Sequence, residues 1–272
     1  MKKIVITGAN GFIGKNLVSV LSHYDIMGLG EQYLLDSNWR NILIDKLSLF
    51  EPDVVFHVGA CSDTLETDVN YMMIRNYEAT KRIVDWCIQN NVPIVYSSSA
   101  ANYGTNNSHP SNLYGWSKYV AEDYVVKSGG VALRYFNVYG PGEQNKGKMS
   151  SIAFQTYVKH KSGEDIFLFP GEPKRDFVYV KDIVGANLHA WKNYDILRGN
   201  FFEVGTAKSR KFEDILEIME IPYKYFDRDK IPNGYQFYTQ SNQEKWMTNW
   251  KPNYSLERGL TEYKNFLEET LR

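Results

Sequence analysis

The sequence predicts an α/β fold, a doubly wound parallel sheet covered by helices. Short apolar, β-branched runs alternate with longer stretches of helical periodicity through the first half of the chain. This alternation is typical of parallel strands joined by helices. The first run, residues 3–7, leads directly into a glycine-rich turn and a helix. Because parallel strands bring their carboxyl ends to one edge of a sheet, we expect the functional residues at the strand ends.

Length and composition limit the classes of protein. The 272 residues suffice for one large α/β domain, or for a large domain with a smaller appendage. A net charge of −1 without a basic run gives no sign of nucleic-acid or polybasic membrane binding. Cys61 and Cys87 form neither a disulfide framework nor a metal-ligand cluster. No segment approaches the ~18 apolar residues of a membrane helix. We therefore expect a cytoplasmic protein without a metal site.

The glycine-rich turn has the spacing of a dinucleotide-binding loop. Gly8, Gly11 and Gly14 follow the first strand and open a helix, which is the context that this motif requires. Gly8 permits the tight turn, Gly11 lets backbone N–H groups approach a pyrophosphate, and Gly14 lets helix and strand pack closely. The positive end of the helix dipole favours the phosphates. The segment therefore predicts a bound dinucleotide.

The choice between NAD and NADP stays open at the second predicted strand, residues 24–30. An acidic residue at its end would hold the ribose hydroxyls of NAD, but the position carries Gly30, with Glu31 one residue later. Arg40 is a candidate partner for a 2′-phosphate or, as we favour, a solvated surface arginine. Residues 41–45 are predicted to form a third strand that places Asp45 against the adenine edge.

Two further strands are predicted, over residues 53–60 and 93–99, with a helical stretch over 71–91 between them. Small residues at the end of the first let the backbone pass close to a cofactor. His57 lies within its apolar run, so we expect a hydrogen-bonded buried histidine rather than a base. The second of these strands ends in three serines.

Tyr114 and Lys118 are four residues apart, which places them on one face of a helix. A tyrosine ionises near pH ~10, and a lysine ammonium one turn away should lower that pKa. A serine from a nearby strand end could hold the oxygen of a substrate alcohol. This spacing alone is common on helix surfaces. Together with a dinucleotide site it predicts a proton relay for oxidising an alcohol.

These segments, in order, resemble those of the extended short-chain dehydrogenase/reductase superfamily, in its NAD-dependent epimerase/dehydratase family. The resemblance rests on the glycine turn, the serines at 97–99, the Tyr114–Lys118 pair and the run at 134–141. Residues 137–151 are most similar to the branch that epimerises nucleotide-linked heptoses. The resemblance implies a Rossmann-type domain over 1–150 and a smaller substrate-binding lobe over 151–272, between which earlier strands and helices can interleave.

The resemblance also implies roles for individual residues. Ser99 would bond the reacting oxygen, Tyr114 would be an acid/base, and Lys118 would bind the nicotinamide ribose and tune Tyr114. Lys146 would be a second acid/base or, alternatively, a mobile loop lysine. Arg175 would pair with the substrate diphosphate, a task suited to a guanidinium, rather than form a salt bridge with Asp176.

The remaining candidates fall into two groups. Cofactor contacts are expected from Gly8, Gly11, Phe12, Ile13, Gly14, Glu31, Asp45, Gly59, Ala60, Cys61, Asn76, Lys118 and Val138. Substrate contacts are expected from Ser62, Asn137, Lys148, Gln155, Phe169, Arg175 and Tyr235. Lys148 and Gln155 replace a small hydroxyl residue and a histidine of the heptose branch, which leaves the substrate open.

The predicted reaction is epimerisation of a nucleotide sugar, on an ADP- or other nucleotide-linked heptose. A tightly bound NAD or NADP would oxidise the sugar alcohol and return the hydride to the other face. Dehydratases of this family carry an Asp-Glu pair soon after the serine, where this chain has Ala100, Ala101 and Asn102. A dehydrogenase, a reductase or a 4-epimerase remains an alternative. A dinucleotide sensor without chemistry is disfavoured because Tyr114 and Lys118 are both present. We also expect a homo-oligomer.

The second half of the chain is predicted to contain shorter helices, at residues 152–160, 182–194 and 212–219, and a final helix at 256–271. Asp182 is predicted to cap the helix that it begins. The segment between the last two helices is rich in tyrosine and proline.

Overall fold

The computed structural model describes residues 1–105, 108–231 and 235–271. The chain divides into two compact units, Met1–Tyr135 with Val184–Phe202, and Phe136–Ile183 with Glu203–Arg272. The first continuous stretch of the first unit therefore ends at Tyr135. The unit also includes residues 184–202, because these supply most of a helix and the start of its last strand.

Strands and helices alternate along most of the chain. The strands are β1 (Lys3–Thr7), β2 (Asp25–Leu29), β3 (Val54–His57), β4 (Ile94–Ser99), β5 (Val131–Tyr135), β6 (Asn137–Tyr139), β7 (Phe167–Leu168), β8 (Lys174–Tyr179), β9 (Asn200–Val204), β10 (Ser209–Lys211) and β11 (Lys224–Tyr225). The α-helices are α1 (Phe12–Leu21), α2 (Trp39–Phe50), α3 (Val69–Met73), α4 (Ala79–Gln89), α5 (Leu113–Lys127), α6 (Ile152–Lys161), α7 (Val180–Lys192), α8 (Tyr194–Leu197), α9 (Phe212–Ile218) and α10 (Leu256–Thr270).

A six-stranded sheet, in the order β2-β1-β3-β4-β5-β9, forms the centre of the first unit. The pairings from β2 through β5 are parallel. β3 and β5 are buried along their whole length, which explains their continuous apolar runs. The chain leaves β1 toward β2 on one side and returns as β3 on the other. The ends of β1 and β3 therefore form the switch point of the sheet, where ligands of such folds bind.

The predicted strand at residues 41–45 is wrong, because this segment lies within helix α2. Trp39, Leu43 and Leu47 are spaced at helical intervals, and their buried side chains form the inner face of α2. This periodicity outweighs the strand propensity of the short apolar run. Asp45 lies on the exposed face of α2. The strand-end position on which its adenine contact rested does not exist.

The other elements predicted for the first unit are confirmed. Strands β2, β3 and β4 lie within the predicted segments. The helical stretch at 71–91 contains α3 and α4, joined by one π-helical turn, Ile74–Glu78. Such turns in α-helices often occur at functional sites.

The second unit contains two small sheets, β10-β8-β6 and β11-β7. The predicted helices of this half are confirmed as α6, α7, α9 and α10. The capping prediction for Asp182 is wrong, since α7 begins two residues earlier, at Val180. The buried Asp182 carboxylate instead accepts hydrogen bonds from the backbone N–H groups of Asn253 (2.8 Å) and Tyr254 (3.1 Å). These hydrogen bonds hold the segment before α10 against the start of α7.

Among the described residues, none of the helices has the length and apolar character required to cross a membrane.

Candidate active site

The glycine turn after β1 has the close packing that its spacing predicts. Gly8 has a φ of +63°, which favours glycine. A Cβ at Gly14 would lie 2.0 Å from the Gly8 carbonyl oxygen, and a Cβ at Gly8 would lie 2.7 Å from the Cα of Gly59. Gly11 stands at the N-cap of α1 and has no side chain to cover the first N–H groups of that helix. The turn therefore fits the pyrophosphate of a dinucleotide.

His57 connects the strands that flank this turn. Its Nδ1 is 2.7 Å from the Thr7 hydroxyl and its Nε2 is 2.8 Å from the Thr80 hydroxyl. Thr7 also accepts a hydrogen bond from the N–H of Gly59 at 2.8 Å. Burial lowers the pKa of His57 to about 3, so the ring is neutral. The prediction of a hydrogen-bonded buried histidine is confirmed.

Asn76, in the π-helical turn, shapes the loop after β3. Its carbonyl oxygen accepts from the N–H of Cys61 at 2.7 Å, and its amide nitrogen donates to the carbonyl of Cys61 at 2.9 Å and to Ser117 Oγ at 2.9 Å. The predicted cofactor residues at 59–61 belong to this loop, and Ser62 follows them in an exposed position. Asn76 thus ties the loop to α5, and its amide is occupied by bonds within the protein.

The predicted catalytic residues of the first unit lie close together. The Asn112 side chain caps α5 by accepting from the N–H of Gly115 at 2.8 Å, which places Tyr114 in the first turn. The Ser99 side chain, at the end of β4, lies close enough to the Tyr114 hydroxyl to favour its ionised form. Lys118 follows one turn later, with its Nζ 4.2 Å from the centroid of the Tyr96 ring.

Burial dominates the charge properties of these groups. It raises the pKa of Tyr114, and the hydrogen bond from Ser99 only partly opposes that effect. The net shift of the Tyr114 pKa is therefore upward, opposite to the predicted direction. Burial also lowers the pKa of Lys118 to about 7, although the charge of Glu122 opposes that shift. Both shifts have one cause, since a buried site disfavours the charged form of either group.

A buried ion pair that the sequence did not reveal lies behind this site. Arg134 of β5 donates from Nε to Glu122 Oε2 at 2.7 Å and from Nη2 to Oε1 at 2.5 Å. Glu122 Oε2 also accepts from Ser98 Oγ at 2.6 Å and from Asn102 Nδ2 at 3.1 Å. Glu122 follows Lys118 by one turn, and Ser98 and Asn102 flank Ser99. Through Ser98, Glu122 joins α5 to the end of β4, the two elements that carry the catalytic groups.

Two candidates near β2 have different surroundings. Glu31 directly follows Gly30 at the end of β2, and its carboxylate is 3.9 Å from the guanidinium of Arg75. Arg40 forms a half-exposed ion pair with Glu78 at 2.7 Å. The interpretation of Arg40 as a surface arginine is confirmed.

In the second unit, Arg175 of β8 is buried among aromatic rings. Its guanidinium carbon lies 5.4 Å from the Phe212 ring centroid and 5.6 Å from that of Tyr235. It donates to the carbonyls of Lys174 (3.0 Å) and Gln236. Burial lowers its pKa. No carboxylate forms an ion pair with it in the described part of the chain.

The alternative of a salt bridge between Arg175 and Asp176 is wrong. The carboxylate of Asp176 accepts from Thr206, Ala207 and Ser241, through backbone N–H groups and hydroxyls at 2.6–3.0 Å. Neighbouring residues of a strand point to opposite faces, so Arg175 and Asp176 have separate partners.

The predicted substrate residues Phe169, Arg175 and Tyr235 form one cluster. The Phe169 and Tyr235 rings meet edge to face with centroids 5.2 Å apart, and Phe237 contacts Tyr235 in the same way, also at 5.2 Å. Phe212 belongs to the cluster but was not predicted, because an apolar residue at a helix start is usually assigned to the core.

The remaining candidates of this unit lie around the loop at residues 140–151. Lys146 and Lys148 lie on either side of a non-helical kink at Gly147 in the segment Gln144–Met149, where Lys146 is partly buried and Lys148 is exposed. Burial lowers the pKa of Lys146. Gln155 donates to the carbonyls of Lys148 (3.1 Å) and Ser150 (2.7 Å), so it holds the loop. Asn137 is exposed and Val138 follows it on β6.

The chain belongs to the NAD dependent epimerase/dehydratase family, whose family model matches residues 4–205. It is 33% identical to an ADP-L-glycero-D-manno-heptose-6-epimerase of Brachyspira hyodysenteriae, with 98% of each chain covered. A crystal structure of the Helicobacter pylori ADP-L-glycero-D-manno-heptose-6-epimerase matches with a TM-score of 0.85 and 27% identity over 98% of this chain and 96% of that one. A UDP-glucose 4-epimerase of Thermotoga maritima matches with a TM-score of 0.86 and 25% identity over 99% and 100%.

These relatives confirm the predicted fold and reaction class. The chain is an NAD(P)-dependent nucleotide-sugar epimerase. Enzymes of this kind oxidise a sugar alcohol transiently and reduce it again from the other face.

Proposed function

We propose that this enzyme epimerises an ADP-linked heptose, using Ser99, Tyr114 and Lys118 as its first set of catalytic groups. The observation that carries the proposal is the placement of Ser99 close enough to Tyr114 to act on its pKa, one helical turn from the buried Lys118, on a sheet with a dinucleotide-binding turn. The choice of a heptose as the substrate is supported by the 33% identical relative, whose name contains that sugar.

The bound nicotinamide supplies the hydride acceptor and donor. Tyr114 removes the proton of the sugar hydroxyl, while the Ser99 hydroxyl holds the same oxygen. Lys118 binds the nicotinamide ribose, and in its charged form it stabilises the phenolate of Tyr114. Because burial raises the pKa of Tyr114, this stabilisation is needed at the moment of proton transfer.

Lys146 is proposed as the second acid/base, which serves the hydroxyl of the other epimer. Its lowered pKa makes it a better proton donor and acceptor near neutral pH than an exposed lysine. Lys146→Met should remove epimerisation and leave oxidation by Tyr114 in place.

Arg175 is proposed to bind the diphosphate of the substrate, and Phe169 and Tyr235 to pack against its nucleoside. The Arg175 guanidinium donates to two carbonyl oxygens, and its other N–H groups can bond a diphosphate. Ser62, Asn137, Lys148 and Gln155 remain proposed substrate-side residues.

We propose NAD rather than NADP as the cofactor. The carboxylate of Glu31 follows β2 directly, where negative charge favours ribose hydroxyls over a 2′-phosphate. Arg40, the candidate phosphate partner, is already paired with Glu78. Mass spectrometry of the dinucleotide released on denaturing protein purified without added cofactor tests this choice, and recovery of NADP would contradict it.

The substrate proposal is tested by incubating the cofactor-loaded enzyme with ADP-heptose in heavy water and following the sugar by NMR. A new epimer without net cofactor reduction supports it. Stoichiometric consumption of added NAD or NADPH would instead indicate a dehydrogenase or reductase. Conversion of UDP-glucose but not of ADP-heptose would indicate a 4-epimerase.

We propose that the chain forms a homo-oligomer through an exposed aromatic pair of α5. The pair consists of Trp116 and Tyr119, whose ring centroids are 6.0 Å apart. Light scattering of the purified chain measures the assembly, and a monomer at micromolar concentration would contradict it.

A further inference from the structure

A buried carboxylate lies at the base of the loop that carries Lys146. The side chain of Glu143 is fully buried. Its Oε1 accepts from the N–H of Gly140 at 3.2 Å and from Ser151 Oγ at 2.8 Å. Its Oε2 accepts from the N–H of Ser151. One side chain therefore joins the two ends of the loop at residues 140–151.

The path of this loop depends on that junction. Gly140 and Gly147 have φ values of +139° and +53°, and a Cβ at Gly147 would meet nothing within 4 Å. Packing against Gly147 therefore does little to fix the middle of the loop. The N–H of Lys146 donates to the carbonyl of Glu143 at 2.9 Å, so Lys146 lies in the turn that Glu143 begins. Displacing Glu143 would displace the Lys146 backbone with it.

The charge of Glu143 also acts on Lys146. Burial lowers the pKa of Lys146, and the negative charge of Glu143 raises it. Glu143 also faces Tyr263 of α10, whose pKa is raised by burial first and by Glu143 second. Tyr263 is neutral at ordinary pH, and Glu143 supplies negative charge that favours the ammonium form of Lys146.

We propose that Glu143 is a positioning residue of the epimerase reaction, which holds Lys146 in place and in its charged form by closing the loop at residues 140–151. This inference rests on the proposed role of Lys146. As hydride returns from the bound nicotinamide to the carbonyl carbon, the carbonyl oxygen takes a proton from the Lys146 ammonium, which becomes an amine. The ketone is reduced and the dihydronicotinamide is oxidised.

The test compares Glu143→Gln, Glu143→Asp and a matched control, Asp182→Asn, in the cofactor-loaded enzyme. Asp182 is also a buried carboxylate that accepts backbone N–H groups in the same unit. In Glu143→Gln the amide places a donor against the Ser151 N–H or hydroxyl, so one end of the loop is released. We expect kcat for epimerisation to fall about 10- to 100-fold, with KM changed by less than about twofold, because misplaced groups affect the reacting geometry first.

The pH profile separates positioning from a purely structural role. Activity that needs the Lys146 ammonium declines as pH rises through its pKa. Removing the Glu143 charge lowers that pKa, so the alkaline limb of kcat should move to lower pH in Glu143→Gln. Glu143→Asp keeps the charge and should retain an alkaline limb close to that of the original enzyme, despite a lower kcat.

Oxidation by Tyr114 gives a second readout. In a single turnover of the epimer that Tyr114 deprotonates, Glu143→Gln should still develop the absorbance of reduced nicotinamide. If Glu143→Gln and Asp182→Asn lose equal activity in proportion to Tm, with unmoved alkaline limbs, the inference is overturned. Full epimerisation by Lys146→Met would overturn the proposed role of Lys146 itself, and this inference with it.

Discussion

The two units place a buried arginine in different surroundings. In the first, Arg134 is paired with Glu122 through two hydrogen bonds, and its guanidinium carbon lies 3.7 Å from the Phe201 ring centroid and 4.7 Å from that of Tyr103. In the second, Arg175 bonds backbone carbonyls and faces aromatic rings, without a carboxylate partner among the residues described.

This difference distinguishes an arginine with a structural role from an arginine that can bind a ligand. A charge that the protein neutralises completely holds the protein together, as Arg134 does between α5 and β5. A charge that the protein only orients is available to an anionic ligand, as we propose for Arg175. The first unit thus provides a preorganised catalytic pair, and the second provides groups whose partners are completed by the substrate.

The largest expected effect tests the catalytic side of the comparison. Tyr114→Phe keeps the ring but removes the acid/base, so kcat should fall about 10²- to 10⁴-fold with Tm unchanged. NMR of the epimer ratio measures the rate. Tyr119→Phe, on the exposed side of α5, is the matched control and should keep full activity. Undiminished epimerisation by Tyr114→Phe would remove Tyr114 from the mechanism.

The next largest effect tests whether Arg134 has a structural role. Arg134→Leu leaves the buried Glu122 carboxylate unpaired, which should cost about 3–5 kcal/mol of unfolding free energy in urea denaturation. Arg40→Leu breaks the half-exposed pair with Glu78 and should cost less than about 1 kcal/mol. Equal losses from the two variants would show that burial does not distinguish these pairs.

A pH-dependent effect should follow from Lys118, whose pKa of about 7 in the folded protein lies below the usual 10.5. Between these values the unfolded chain binds more protons, so this group makes the protein more stable as pH rises through that window. Lys118→Met removes the penalty and should stabilise the dinucleotide-free protein by on the order of 2 kcal/mol near pH ~6.

The gain from Lys118→Met should shrink toward zero above pH ~11, where both states of the original protein have lost the proton. Urea denaturation across this range measures it, and epimerisation should be lost throughout. A gain that is the same at every pH would indicate that folding does not shift the pKa of Lys118.

The smallest effect concerns the substrate side. Arg175→Lys keeps the charge but loses the guanidinium geometry, so KM for ADP-heptose should rise about 10-fold while kcat stays within about twofold. Arg210→Lys, in the same unit but paired with Asp214 and Glu257, is the control and should leave KM unchanged. A fall in kcat alone would place Arg175 with the reacting groups instead.

The catalytic groups of the first unit could be found from sequence because their spacing is local. Gly8, Gly11 and Gly14 belong to one turn, and Tyr114 and Lys118 to one helix, so periodicity alone groups them. Glu122 and Arg134 escaped prediction, although each lies close to a recognised motif, because their pairing joins a helix to a strand.

Where the periodicity of a segment was ambiguous, burial and tertiary contacts decided its structure. The apolar run at 41–45 suits a strand or a helix, and the packing of Trp39, Leu43 and Leu47 selects α2. Asp182 was predicted to cap a helix, yet it lies in the first turn of α7 and its partners lie in the distant segment before α10. Neither result follows from the local sequence.

The sequence by itself determined the alternation of strands and helices, the dinucleotide turn and the family motifs, since these depend on residue types at short, fixed intervals. Tertiary structure decided the charge states of the buried groups and the hydrogen-bond partners of the charged side chains. Burial raises the pKa of Tyr114, against the prediction from its lysine neighbour, because desolvation depends on what packs around a group. Likewise, Arg175 and Asp176 are adjacent in sequence but separate in space, because a strand directs successive side chains to opposite faces.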